Sequence, residues 1–222
     1  MEFIKSTDGK DGVEKMAAKI AKELAAGKKV LWLICGGSNI PLAKATLDLI
    51  LGKADGKLGN LTIGQTDERY GEVGHPDSNW QQMIEAGFNF ESVATRPILF
   101  GGSGEETVER YAKMLAEDFA SHDAVVAQFG IGADGHVAGM LPHTGGVDEE
   151  RLAFGYDSAP FVRITMTPPA FSHIGSAFAF AFGESKKEAI ENLQSKELPI
   201  SEEPCQLLKT IPESYFYSDQ LS

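Results

Sequence analysis

Cysteine and long apolar runs are both scarce in this sequence of 222 residues. The two cysteines, Cys35 and Cys205, are too few and too far apart for a disulfide framework, a metal-ligand cluster or a redox pair. No run of about 18 apolar residues occurs, and the amino-terminal residues lack the apolar run of a signal peptide. We therefore predict a soluble, cytoplasmic protein with no membrane partner, no metal and no cofactor.

Positive charge is also in short supply, because 20 lysines and arginines face 32 aspartates and glutamates, for a formal net charge of −12. Nucleic acid and anionic membranes are captured by basic surfaces, so we expect neither as a partner. The overall field also repels any small anion. An anionic ligand would therefore depend on a few basic side chains and backbone amides gathered in one cleft.

What the sequence does contain is a regular alternation of apolar and amphipathic segments, with 42% hydrophobic residues. This order predicts an α/β fold, a single domain over residues 1–222 with a mainly parallel, doubly wound sheet and helices on both faces. Residues 145–158, polar and rich in glycine, are predicted to form an exposed loop or a flank of the active site. Strands are predicted at 30–34, 61–63, 97–100, 124–127, 161–166 and 177–182, with an edge strand near 215–217. Helices are predicted at 13–24, 40–51, 104–120 and 185–193, with another capped by Asp77 or Ser78.

The most informative motif is Gly-Ile-Gly-Ala-Asp-Gly-His at residues 130–136, directly after a predicted buried strand. Open α/β sheets bind ligands at the carboxyl ends of their strands, so this loop is well placed for a site. His136 is therefore a candidate catalytic base, with Asp134 two residues away. The alternative is a structural histidine that caps or hydrogen-bonds the turn.

A second glycine turn, Gly36-Gly37-Ser38, follows the predicted strand at 30–34 and enters the next helix. Backbone amides at the start of a helix suit a phosphate group. The turn matches neither the phosphate loop of nucleotide hydrolases nor the dinucleotide fingerprint. The turn is therefore a candidate for phosphate binding of another kind, and the alternative is an ordinary turn between a strand and a helix.

Charged side chains at two further places are candidates for ligand binding. Asp67 could hydrogen-bond sugar hydroxyls, and Arg69 could offer a forked donor to an oxyanion. The alternative for this pair is a solvated turn with an internal ion pair. Arg163 lies in an apolar strand and needs an anionic partner, while Lys186 opens a helix where a phosphate could bind. The alternatives are a structural ion pair for Arg163 and an ordinary exposed lysine for Lys186.

In their order and spacing, these segments resemble the 6-phosphogluconolactonase family, whose superfamily also contains glucosamine-6-phosphate deaminases. The resemblance covers about residues 30–190, and the motif at 130–136 is its most specific part. It implies hydrolysis of 6-phospho-D-glucono-1,5-lactone to 6-phosphogluconate in the pentose phosphate pathway, without a cofactor. We expect a phosphorylated sugar lactone as the small-molecule partner, and a monomer or small homo-oligomer as the assembly.

The resemblance also implies a role for each candidate residue. His136 would take a proton from the attacking water, and Asp134 would orient either the imidazole or a sugar hydroxyl. Arg69 and loop amides would stabilise the oxyanion. A lactone is already an activated ester, so no covalent nucleophile is needed and Cys35 is not expected to be catalytic. The phosphate would be held by a glycine turn and two cations, namely Gly36, Gly37, Ser38, Arg163 and Lys186.

Two other functions compete with the lactonase. An amino-sugar phosphate isomerase or deaminase is disfavoured because the deaminase pattern carries a glutamate five residues after the histidine, where this sequence has Leu141. A non-catalytic sugar-phosphate sensor would follow if His136 pointed away from the cleft. The sensor predicts saturable binding without turnover.

Overall fold

The structure, a computed structural model, describes residues 1–53 and 57–221. The strands in chain order are β1 (Glu2–Lys5), β2 (Val30–Ile34), β3 (Leu61–Gln65), β4 (Asp67–Tyr70), β5 (Ala94–Arg96), β6 (Ala124–Gly130), β7 (Ala153–Ser158), β8 (Phe161–Met166), β9 (Ser176–Phe180) and β10 (Glu213–Ser218). The helices are α1 (Lys10–Ala25), α2 (Ile40–Lys53), α3 (Asn79–Glu85), α4 (Gly104–Ser121), α5 (Pro168–Phe171) and α6 (Lys187–Ser195). None of the described helices has both the length and the apolar character needed to cross a bilayer.

The main sheet is parallel and contains seven strands in the order β1-β10-β9-β6-β2-β3-β5. The central strand β2 is Val-Leu-Trp-Leu-Ile, and every one of its residues is buried. Continuous apolar runs of this kind are typical of parallel strands that are covered on both faces. The predicted single-domain α/β fold with a mainly parallel sheet is confirmed.

Helices cover both faces of this sheet, and the side chains of β2 alternate between two cores. Trp32 packs in a core with Met16 of α1 and Leu47 of α2. Leu33, one position along the strand, packs in the other core with Leu115 of α4 and Ile190 of α6. The alternation follows from the period of two along a strand. The predicted doubly wound arrangement is therefore confirmed.

A second, smaller sheet was not predicted. It is antiparallel, in the order β4-β8-β7. The prediction that strand 161–166 belongs to the parallel sheet is wrong, because it pairs here as β8. The exposed loop predicted at 145–158 is also wrong in part, since β7 occupies its second half. Gly155 and Asp157 both lower the strand propensity of β7, which explains why its sequence reads as a loop.

Three smaller differences between prediction and structure concern two strands of the main sheet and the start of α3. The strand predicted at 97–100 lies earlier, at β5, because Pro97 has no N–H to donate to a neighbouring strand. The strand predicted as an edge near 215–217 is interior, since β10 lies between β9 and the unpredicted edge strand β1. Ser78 rather than Asp77 caps α3, where its hydroxyl accepts a hydrogen bond from the Gln81 amide at 3.1 Å.

Candidate functional site

A cavity of about 230 Å³ opens at the carboxyl edge of the parallel sheet, next to the small sheet. Open α/β sheets place ligand sites at this edge. Asp134 does not line the cavity but contacts His136, which does. Every other predicted site residue lines it: Gly36, Gly37, Ser38, Asp67, Arg69, His136, Arg163 and Lys186. Residues from five separate segments of the sequence therefore meet at one place.

The glycine turn joins the end of β2 to the start of α2. Gly36 has no room for a side chain, because a Cβ atom there would lie 1.9 Å from Asn79 Oδ1. Gly37 has a φ of +70°, a left-handed conformation that glycine adopts without strain. Gly37 and Ser38 are exposed, and they lie in a single 3-10 turn that runs directly into α2. The turn thus offers exposed backbone at a helix start, where anions bind favourably.

The small sheet brings Asp67 and Arg69 next to Arg163, which lies in a distant segment of the sequence. Asp67 and Arg69 are two residues apart on β4, so their side chains leave the same face of the strand. Arg163 on β8 lies directly opposite Arg69 in the antiparallel ladder. This pairing places on one face of the sheet side chains that are far apart in the sequence.

Three cationic side chains line the cavity. Within residues 1–53 and 57–221, none of Arg69, Arg163 and Lys186 forms a salt bridge. The structural ion pair that was the alternative for Arg163 is therefore not found there. Burial lowers the pKa of the Lys186 ammonium, so this lysine is not an ordinary exposed one. Unpaired cations at one cavity favour an anionic ligand.

The two arginines are held by uncharged partners. Arg69 Nη1 donates to the carbonyl oxygen of Asp77 at 3.0 Å. Arg163 Nε donates to Ser158 Oγ at 3.0 Å. Each guanidinium keeps further N–H groups beyond these bonds, since the group has five. The arginines are thus oriented while donors remain for a ligand.

His136 and Asp134 form a hydrogen-bonded pair on the glycine loop after β6. The ring Nδ1 lies 2.6 Å from Asp134 Oδ1. This bond lowers the pKa of the Asp134 carboxyl to about 2, so the group is ionised at neutral pH and can only accept. A neutral imidazole beside it therefore carries its proton on Nδ1 and leaves Nε2 as the basic nitrogen. The sequence left open whether Asp134 contacts the imidazole or a sugar hydroxyl, and in the structure it contacts the imidazole.

Asp67 is a buried carboxyl at the floor of the cavity. Burial raises its pKa, although a hydrogen bond from Thr66 Oγ1 at 2.7 Å and the nearby cations act in the opposite direction. Asn79 Nδ2 donates to the Asp67 carbonyl at 3.0 Å and lies 3.3 Å from its Oδ2. Gly139 packs against this carboxyl, since a Cβ atom there would lie 2.8 Å from Oδ2. The position of Asp67 is thus fixed from three sides.

Glu68, between Asp67 and Arg69, has a structural role instead. Its buried carboxylate accepts hydrogen bonds from the backbone amides of Asn79 at 2.6 Å and Trp80 at 3.0 Å, at the start of α3. It also accepts from Ser78 Oγ at 2.9 Å. A carboxylate is stabilising at this end of a helix. Glu68 therefore fixes α3 and, through it, Asn79.

Sequence reasoning missed Asn39 as a residue of the site. Its buried Nδ2 donates to the carbonyl oxygens of Phe129 at 3.1 Å and Phe180 at 3.0 Å. These carbonyls lie at the ends of β6 and β9, just before the loops that carry His136 and Lys186. The glycine at 130 is required beside it, since a Cβ atom there would lie 2.6 Å from Asn39 Nδ2. The only sign of this role in the sequence is an asparagine at the start of a predicted helix. Its hydrogen-bond partners are far away along the chain, so the sequence does not reveal them.

Cys35 also lines the cavity, but its thiol is not an available nucleophile. Burial, together with the charge of Asp67, raises the pKa of the thiol to about 12. Reactive cysteines have a lowered pKa, because the thiolate is the nucleophile. This protonated thiol agrees with the expectation that Cys35 is not catalytic.

The fold and the cavity define an α/β protein with three cations, each without a salt-bridge partner in the described part of the chain, around a cavity at the carboxyl edge of its sheet. The family model described as glucosamine-6-phosphate isomerases/6-phosphogluconolactonase matches residues 9–215. The chain belongs to this family, as its resemblance predicted, and is an enzyme of that superfamily.

The relatives name two activities. A glucosamine-6-phosphate deaminase from Lactobacillus johnsonii is 26% identical over 240 residues, covering 100% of this chain and 96% of the relative. A 6-phosphogluconolactonase from Synechocystis is 27% identical over 168 residues, covering 69% of this chain and 68% of the relative. The solved structure of 6-phosphogluconolactonase from Thermotoga maritima has the same fold, with a TM-score of 0.82 at 19% identity over 98% of both chains.

Proposed function

We propose that this protein hydrolyses 6-phospho-D-glucono-1,5-lactone to 6-phosphogluconate, a step of the pentose phosphate pathway, in the cytoplasm. The observation that carries the proposal is the meeting of a hydrogen-bonded His136–Asp134 pair with three unpaired cations at one cavity. A chain of net charge −12 has no general attraction for anions, so this cationic cluster is specific to the site. A phosphorylated sugar lactone supplies both an anion and a carbonyl for attack.

The phosphate end of the substrate is assigned to the glycine turn and two cations. Exposed backbone at Gly37 and Ser38, beside Gly36, offers donors at the start of α2. Arg163 and Lys186 provide the charges that neutralise the phosphate. Desolvation of Lys186 strengthens its interaction with an anion in the cavity. The phosphate anchored there leaves the ring free to extend towards the imidazole.

The lactone end is assigned to His136, Arg69 and Asp67. His136 Nε2 accepts a proton from water as the water oxygen attacks the lactone carbonyl, and the imidazolium then returns the proton to the departing ring oxygen. Asp134 holds the ring and stabilises its protonated form. The Arg69 guanidinium donates hydrogen bonds to the oxyanion of the tetrahedral intermediate. Asp67 accepts hydrogen bonds from sugar hydroxyls.

Leu141 favours the lactonase over the deaminase. The resemblance places a glutamate at this position in deaminases, where it supports opening of the sugar ring. Leu141 is outside the cavity lining, and its backbone amide donates to the hydroxyl of Tyr156 at 3.2 Å. Among the described residues that line the cavity, Asp67 is the only carboxylate. The described lining therefore lacks the glutamate that the deaminase pattern carries five residues after the histidine.

The proposed function is tested by two assays on the same preparation. We expect formation of 6-phosphogluconate from its lactone well above the spontaneous rate, and no ammonia release from glucosamine-6-phosphate. Ammonia release without lactone hydrolysis would replace the proposal by the deaminase. Saturable binding of 6-phosphogluconate without either reaction would replace it by the sensor.

Arg163 is predicted to contribute mainly to substrate binding. We expect Arg163→Ala to raise KM by roughly 10- to 100-fold with a much smaller change in kcat, since hydrogen bonds to charged groups contribute about 1.5–3 kcal/mol. The matched control is Arg151→Ala, which removes an exposed arginine paired with Glu149 outside the cavity. A fall in kcat at unchanged KM would instead assign Arg163 to the transition state.

A further inference from the structure

The ring of Phe161 lies against both arginines of the site. The guanidinium carbon of Arg69 is 4.9 Å from the ring centroid, and that of Arg163 is 5.7 Å from it. Phe161 is two residues before Arg163 on β8, so both side chains leave the same face of the small sheet. Phe161 does not itself line the cavity. The ring is therefore placed to act on the ligand through the arginines.

The arginine pair poses an electrostatic problem that the ring can relieve. Arg69 and Arg163 are directly opposite across an antiparallel ladder, where like charges repel each other and destabilise the pair. Neither forms a salt bridge with any carboxylate of the described chain. An aromatic face is electron-rich and attracts a guanidinium group within about 6 Å. One ring thus attracts two cations that repel each other.

We propose that Phe161 is a positioning residue that holds the two guanidinium groups side by side for the anionic ligand. A carboxylate in its place would orient the arginines more strongly, but it would also neutralise the charge that the ligand needs. An aliphatic side chain would fill the same space without attracting either cation. The aromatic ring orients both groups and leaves their charge available. This inference rests on the proposed function only for the identity of the ligand.

The test separates the ring electrons from the bulk of the side chain. Phe161→Leu keeps apolar bulk, Phe161→Tyr keeps the aromatic face, and phenylalanines with one to three ring fluorines keep the shape while weakening that face. Affinity for 6-phosphogluconate is measured by calorimetry, and KM and kcat for the lactone are measured in parallel. The fluorinated proteins are close in shape to the wild type, so they report on the ring even where the leucine variant fails to fold.

We expect Phe161→Leu to raise Kd and KM roughly three- to tenfold while kcat stays within about twofold. Phe161→Tyr should restore wild-type values, and each added fluorine should weaken binding further. Phe100→Leu is the matched control, since it removes a ring that lies 4.8 Å from Arg110 outside the cavity. This control is expected to leave Kd and KM unchanged.

Two results would overturn the role of Phe161. Equal affinity across the fluorine series would show that the ring only fills space, and so would wild-type affinity in Phe161→Leu. The calorimetric measurement needs no turnover, so it separates this inference from the proposed function. If the protein does not hydrolyse the lactone but loses affinity along the fluorine series, the positioning role of Phe161 would be supported and only the proposed reaction would be overturned.

Discussion

Replacing His136 with alanine is expected to lower kcat for lactone hydrolysis by about 10²–10⁴-fold, the contribution of a general base. Affinity for 6-phosphogluconate should change little, because the phosphate is assigned to the glycine turn, Arg163 and Lys186. The physical reason is the arrangement of the ring: Asp134 occupies Nδ1 at 2.6 Å, which leaves Nε2 to accept the proton from water. Steady-state kinetics and calorimetry on the variant measure the two effects separately.

A nearby histidine provides the control. His143 is exposed, lies outside the cavity lining and has a φ of +59°, a conformation that asparagine tolerates. We expect His143→Asn to retain wild-type kcat and KM. If His136→Ala hydrolysed the lactone at the wild-type rate, the imidazole would not be the base, and water activation would have to be assigned to another group.

Replacing Gly132 with alanine is expected to lower kcat about 100-fold with little loss of stability. A Cβ atom at this position would lie 2.1 Å from His136 Nδ1 and 2.5 Å from Asp134 Oδ1. The added methyl group must therefore displace the pair from its hydrogen-bonded geometry. Both side chains are partly exposed, so they can swing outward and the fold can absorb the change. The unfolding free energy should fall by less than about 1 kcal/mol.

The matched variant is Gly52→Ala in α2, where a Cβ atom would meet nothing within 4 Å. Alanine is about 1 kcal/mol more favourable than glycine in a helix interior, and Gly52 is the penultimate residue of α2, so this variant should be at least as stable as the wild type and fully active. Wild-type activity in Gly132→Ala would mean that the observed contact between His136 and Asp134 is dispensable. Chemical unfolding curves measure the change in stability of both variants, and steady-state kinetics measure the change in kcat.

The strands of the parallel sheet could be predicted because their side chains face two apolar cores. In β2, the run from Val30 to Ile34 reads as a buried strand whatever its neighbours are. The loop after β6 could be predicted as a ligand site for a similar reason, since the position of a loop at the carboxyl end of a parallel strand follows from the fold class. The same argument makes His136 a candidate, and its side chain lies at the cavity.

The small sheet could not be predicted from the same signal. One face of β4 points to a polar cavity, so Asp67 and Arg69 replace the apolar residues that reveal a strand. On the other face, the Glu68 carboxylate lies at the start of α3. The hydrogen bonds that it accepts there come from backbone amides later in the sequence, so the sequence pattern around Glu68 does not indicate a strand. Strands that line a binding site lose their hydrophobic periodicity for this reason, and their pairing appears only in three dimensions.

The amide of Asn39 has a consequence for how the loops after β6 and β9 are held. It connects the backbone at Phe129 and Phe180, at the ends of two adjacent strands whose following loops carry His136 and Lys186. Adjacent strands lie about 4.8 Å apart, and this lateral spacing cannot be stretched without breaking the ladder. Because one amide anchors the start of both loops, a substitution of Asn39 would act on His136 and Lys186 together.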